Sequence, residues 1–125
     1  AATIAEFLDS HNRISRVIYP FMESHPGSVL AKQQMSAGGG IVTFDVDGGK
    51  AEAFRFLNGL KIVDISNNLG DSKSLITHPS TTTHQRISEE ERLALGIQPT
   101  TVRLSVGLED VEDLMGDIRD ALGAL

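Results

Sequence analysis

The sequence has no cysteine and no tryptophan, and aromatic residues make up only 5% of its 125 positions. Without thiols it can form no disulfide, no thiolate nucleophile and no thiolate metal site. With five Phe, one Tyr and no Trp, a core must rest mainly on Leu, Ile, Val and Ala. Basic residues are sparse as well: 11 Lys and Arg against 17 Asp and Glu give a net charge of -6. No stretch concentrates positive charge, as binding to a phosphate backbone requires, so nucleic acid is not an expected partner. No apolar run approaches the roughly 20 residues needed to span a bilayer, and no signal-peptide pattern is present. A membrane is therefore not an expected partner, and a cytoplasmic setting is expected. The chain starts Ala1-Ala2 rather than with Met, as a segment taken from a longer protein would.

What is present is ordinary in bulk. Apolar residues at 40% and charged residues at 22% fit one folded domain spanning 1–125. Thr3-x-x-Glu6 reads as a capping box for a helix burying Ile4, Phe7 and Leu8. Arg16 to Tyr19 reads as a strand stopped by Pro20, and Ser28 as the cap of a short helix through Met35. Gly38-Gly39-Gly40 precedes the strand 41–46. Phosphate loops have the opposite order, strand before glycines before helix, so these glycines point to a close backbone passage. Asp47-Gly48-Gly49 turns into a helix over 50–58 with Ala53, Phe54 and Leu57 inward. Strands are expected at 62–65, 74–77 and 102–106. Ser88-x-x-Glu91 is a second capping box, with Gly96 closing its helix. From Glu109 to Leu122, Val111, Leu114, Met115, Ile118 and Leu122 form one apolar stripe, and acidic residues gather at the favourable N-terminal end. Five short strands mixed with five helices predict an α+β fold, helices covering a mainly antiparallel sheet.

Few residues stand out chemically. His11, His25, His78 and His84 form no metal-ligand spacing, so no metal site is expected. Arg103 alternates with Val102 and Leu104 and so points to the opposite face of its strand. That leaves two readings: an arginine on a solvated sheet face, or a two-pronged clamp for a carboxylate. Asn67-Asn68-Leu69-Gly70 and Ser80-Thr81-Thr82-Thr83-His84 read on their own as turn and loop.

Taken in order, these segments resemble a known family. The series runs from His25-Pro26 and Leu30 to Met35 through Ser66 to Asp71 and Ser74 to Pro79. It continues with Thr83-His84, Glu91-Arg92 and Val102 to Asp110. It is similar to the C-terminal region of the Cys/Met-metabolism family of pyridoxal-phosphate enzymes. The Asn67-Asn68 pair and the later Thr-Thr-Thr-His resemble the sulfhydrylase branch, although most relatives have Ser where Asn68 stands. The resemblance implies the small C-terminal domain of the aspartate-aminotransferase (fold type I) architecture. It implies that Arg103 holds a substrate α-carboxylate, that Asn68 and Thr83 lie near substrate, and that Asn67 influences the side-chain pocket. It implies a trans-sulfuration enzyme of methionine biosynthesis, acting on a homoserine ester and sulfide in a homotetramer. Pyridoxal 5'-phosphate would be carried on the lysine of an N-terminal domain. Lys32, Lys50, Lys61 and Lys73 lack the family's Ser-x-Thr-Lys context, so no catalytic or cofactor-binding residue is expected in this chain. Other trans-sulfuration activities, and a stand-alone amino-acid-binding regulatory module, remain alternatives.

Overall fold

The computed structural model describes all 125 residues. The chain runs α1 (Ala2–Asp9), β1 (Ile14–Ile18), α2 (Ser28–Gln34), β2 (Ile41–Val46), α3 (Lys50–Gly59), β3 (Asp64–Ile65) and β4 (Leu75–Thr77). A 3-10 turn (Pro79–Thr81) follows, then α4 (Glu89–Ala94), β5 (Thr101–Ser105) and α5 (Val111–Gly123). The sheet order is β1-β2-β5-β4-β3. All neighbouring pairs are antiparallel except β3 with β4. This is the expected α+β architecture, with β5 at its centre. No helix is long and apolar enough to cross a membrane.

Strand alternation gives the sheet two unlike faces. Val17, Val42, Phe44, Val46, Val102, Leu104 and Ile76 point to one side and are buried under α1, α3 and α5. From those helices come Ile4, Leu8, Phe56, Leu57, Leu114, Ile118 and Leu122. Phe44 and Phe56 meet edge to face at 5.7 Å, an arrangement that adds to the burial of their area. The other face carries Arg16, Asp45, Thr43, Thr101, Arg103, Ser105 and Thr77, paired across strands by the same register.

Several local expectations are corrected. Helix α1 starts two residues earlier than Thr3 predicts: Ala1 is its cap and makes no side-chain bond. Likewise Ser28 is the first helical residue of α2, behind Gly27. In α3 the inward aromatic is Phe56; Phe54 lies on the partly exposed side. Strand β3 is shorter than 62–65. The amides of Lys61, Ile62 and Val63 turn instead to the carboxylate of Asp117, a buried residue of α5, at 2.8–3.2 Å. The Ser88/Glu91 capping box is formed as expected. Helix α5 is capped by Asp110, and Glu109 stands outside it. The triple glycine is a close passage: a Cβ on Gly38 would lie 2.6 Å from the Tyr19 ring, whose hydroxyl donates to the Gly39 carbonyl at 2.9 Å.

Candidate functional site

On its polar face β5 is covered at both ends. Thr101 lies under the 95–99 loop, where its hydroxyl accepts from the Gln98 amide at 2.8 Å. Ser105 lies under the 66–72 loop and accepts from the Gly70 amide at 2.8 Å. Both residues are buried, and Arg103 between them is the one β5 position left partly open. The two loops thus frame a window with an arginine at its base.

Arg103 lies between Thr43 of β2 and Thr77 of β4 in register. Its Nη2 donates to the Asn67 carbonyl at 2.9 Å. Its Nε is buried and has no acceptor. Three ion pairs occur in the chain, Arg16–Asp45, Arg55–Glu52 and Lys73–Asp64, so Arg103 has no carboxylate partner. A desolvated cationic donor left unpaired costs more than a neutral one, and an incoming carboxylate would remove that cost. Arg103 also borders a cleft of about 190 Å³ with Ile18, Thr43, Pro79, Thr83, His84, Thr101 and the Leu95–Ile97 wall.

Arg103 and Thr83 therefore meet in one cleft. Thr83 shares a 2.8 Å bond with His84 Nδ1. Asn67 reaches the site through its main chain, at Arg103, and its side chain turns to the Thr77 hydroxyl at 3.1 Å. Asn68 does not border the cleft; it is exposed, and only its amide is bonded, to the Ser66 hydroxyl at 3.3 Å. Its side chain is free on the loop that covers one end of the window.

Sequence reasoning missed two supports. Arg16 Nε donates to Asp45 at 2.6 Å, and its Nη2 donates to the Gly96 carbonyl at 2.6 Å, fastening the cleft wall to the sheet. His78 is buried, with Nε2 2.7 Å from the Pro99 carbonyl and Nδ1 2.8 Å from the Thr81 hydroxyl. Because a carbonyl only accepts, the proton is on Nε2 and Nδ1 accepts from Thr81. Burial holds this imidazole below the ordinary histidine pKa. The alternation Ile41, Thr43, Asp45 was a signal for the first support: a carboxylate on a strand's polar face, one position from the core.

The donor set suits a carboxylate rather than a cofactor aldehyde. The cleft is lined by a guanidinium, hydroxyls and an imidazole, and by no lysine amine. Lys73 pairs with Asp64 and Lys50 stands over the Phe54 ring.

A mostly antiparallel sheet with helices packed on its apolar face and a partly open arginine on its central strand is shared with a known enzyme family. Residues 1–123 match the model of the Cys/Met metabolism PLP-dependent enzymes, and the chain belongs to that family. It is 52% identical over 98% of its length to an O-succinylhomoserine sulfhydrylase of Mycobacterium tuberculosis, and 45% identical over 100% to one of Pseudomonas aeruginosa. It is also 44% identical over 98% of its length to an L-methionine gamma-lyase of Fusobacterium nucleatum. In each case the chain spans 31% of the relative's length. Among solved structures it superposes on a putative O-acetylhomoserine (thiol)-lyase of Campylobacter jejuni with TM-score 0.94 at 38% identity. That match covers 98% of this chain and 30% of the other. Cystathionine gamma synthase of Xanthomonas oryzae gives TM-score 0.93 at 39% identity, covering 98% and 32%. The fold is thus that of the fold type I PLP enzymes.

Proposed function

We propose that this chain is the substrate-closing C-terminal domain of a PLP-dependent O-succinylhomoserine sulfhydrylase, which makes homocysteine from O-succinylhomoserine and sulfide. The observation that carries the reading is Arg103: held at one nitrogen by the Asn67 carbonyl, without a counter-ion, and with a buried donor unspent. In this reading Arg103 grips the substrate α-carboxylate and fixes the orientation of the bonds at Cα. Thr83 and the Asn67-Asn68 loop shape the space beside it. Bound PLP supplies the electron sink for the reaction, and its lysine comes from the region outside this chain. The 45–52% identity to two sulfhydrylases supports the choice of branch. The 44% identity to a methionine γ-lyase supports a γ-elimination reading as the second.

The test is made on the full-length enzyme. Homocysteine formation from O-succinylhomoserine that depends on added sulfide supports the sulfhydrylase; sulfide-independent release of a 2-oxo acid supports the lyase. Replacing Arg103 by Lys keeps the charge but loses the fork. It is expected to raise KM roughly tenfold or more, the loss of a charge-assisted bond. An unchanged KM overturns the carboxylate role.

A further inference from the structure

Thr77 lies directly across from Arg103 in the β4–β5 register and is 1% exposed. On the apolar side of the sheet a buried strand residue would be aliphatic; here it is a hydroxyl on the polar face, and its bonds run towards the window. Thr77 Oγ1 donates to Asn67 Oδ1 at 3.1 Å and lies 2.8 Å from Thr82 Oγ1. Thr82 in turn donates to the His78 carbonyl at 2.8 Å. Each hydroxyl has one proton. With Thr77 donating to Asn67, the contact between the two hydroxyls is made by the Thr82 proton, shared with the His78 carbonyl.

Asn67 is consequently held at two points. Arg103 takes its main-chain oxygen and Thr77 takes its side-chain oxygen. With both ends of Asn67 fixed, the chain direction into Asn68 is fixed as well, and the unbonded Asn68 side chain is presented from a set backbone. Without the Thr77 bond, Asn67 would be tethered only through the same arginine that must serve the ligand.

We propose that Thr77 is a positioning residue for substrate specificity. Acting through Asn67, it sets the placement of the Asn67-Asn68 loop against Arg103, and so the fit of the γ-substituent of an amino-acid substrate. The inference rests on the carboxylate role of Arg103.

The experiment is a double-mutant cycle on the full-length enzyme, read as KM for O-succinylhomoserine at saturating sulfide. Thr77→Val removes the hydroxyl at nearly constant shape. It is expected to raise KM about fivefold, the effect of one neutral hydrogen bond, with kcat within about twofold and the cofactor absorbance unchanged. Thr77→Ser restores the wild-type KM. In an Asn67→Ala background Thr77→Val adds nothing, because the bond is already gone. A wild-type KM in Thr77→Val, or a Thr77→Val effect that persists undiminished in Asn67→Ala, overturns the proposal. Should Thr77→Val fail to fold, Asn67→Ala alone must reproduce the rise in KM, and a wild-type value there overturns it equally. Failure of the underlying reading is recognised separately: Arg103→Lys then has a normal KM, and the positioning role falls with it.

Discussion

Arg16 and Asp45 form an ion pair across β1 and β2 at 2.6 Å, on the face of the sheet away from the helices. The second Asp45 oxygen accepts from the Thr101 hydroxyl, and the guanidinium continues to the Gly96 carbonyl. One carboxylate therefore ties three segments together: the edge strand, the central strand and the loop after α4.

Replacing Asp45 by Ala would leave the Thr101 hydroxyl and the guanidinium without their acceptor. Breaking a fully buried pair costs about 3–5 kcal/mol. Arg16 is partly solvated here, so a loss of about 2 kcal/mol is expected, seen as a lower urea midpoint. Arg16→Lys should cost less, because an ammonium still reaches the carboxylate but cannot fork to Gly96. An unshifted midpoint in Asp45→Ala would show that the tie contributes nothing to stability.

Asp117 accepts from three successive amides, those of Lys61, Ile62 and Val63, while itself buried in α5. Asp117→Ala removes both acceptor oxygens and leaves all three amides without a partner at once, and the Val63 amide cannot turn to water. We expect a loss of about 2–4 kcal/mol, with Asp117→Asn recovering roughly half through its remaining acceptor oxygen. Urea denaturation of both variants measures this. Equal losses would mean that the charge, rather than the acceptor count, matters.

His78 predicts a pH effect. Burial lowers its pKa from the ordinary 6.5; the Pro99 carbonyl opposes that shift and Lys50 reinforces it. As pH falls below about 6.5 the unfolded chain takes up a proton that the folded chain resists, so the unfolded state binds more protons. Stability is unaffected above that range and declines on acidification, by at most about 1.4 kcal/mol per pH unit for this one group, until pH passes the folded pKa. His78→Gln keeps an N–H for Pro99 and does not titrate. Between about pH 7 and pH 5 the wild type should lose more stability than this variant; parallel pH profiles would refute the assignment.

Gly107 lets two loops approach. A Cβ there would lie 2.4–2.5 Å from the Ser72 carbonyl oxygen, the Lys73 carbonyl carbon and the Ser74 nitrogen, all of them backbone atoms. Gly107→Ala must therefore push the 66–74 segment away or strain it, at a cost of about 1–3 kcal/mol. Because that segment carries Asn67, KM in the full-length enzyme should rise with the loss of stability. A more stable variant with normal KM would contradict the contact.

The layout of the fold was legible where periodicity is strong. The stripe in α5 and the alternation in β5 placed two of the elements that build the core, and alternation alone put Arg103 on the face opposite Val102 and Leu104. Legibility failed where tertiary partners override local signals. Thr3 resembles a cap, but the helix begins before it. The apolar run at 62–63 resembles strand, but its amides are taken by a carboxylate 54–55 residues away. Phe54 and Phe56 differ by two positions, or about 200° of helix, so a small error of phase exchanged the buried and the exposed ring. The window itself was not legible. Nothing in the local pattern says that Gly70 and Gln98 cover the ends of β5 and leave its middle open, since those contacts depend on three-dimensional register.

Strand β5 pairs with β2 on one side and β4 on the other, so the Cα of Arg103 cannot shift without unzipping two ladders. The segments around it are fastened largely by single side-chain bonds, such as those from Ser105, Thr77 and Arg16. Amide exchange should accordingly be slowest beneath the guanidinium and faster in the frame around it. Such a molecule separates anchoring from shaping. Substitutions in the frame can reshape the opening while the guanidinium stays in place.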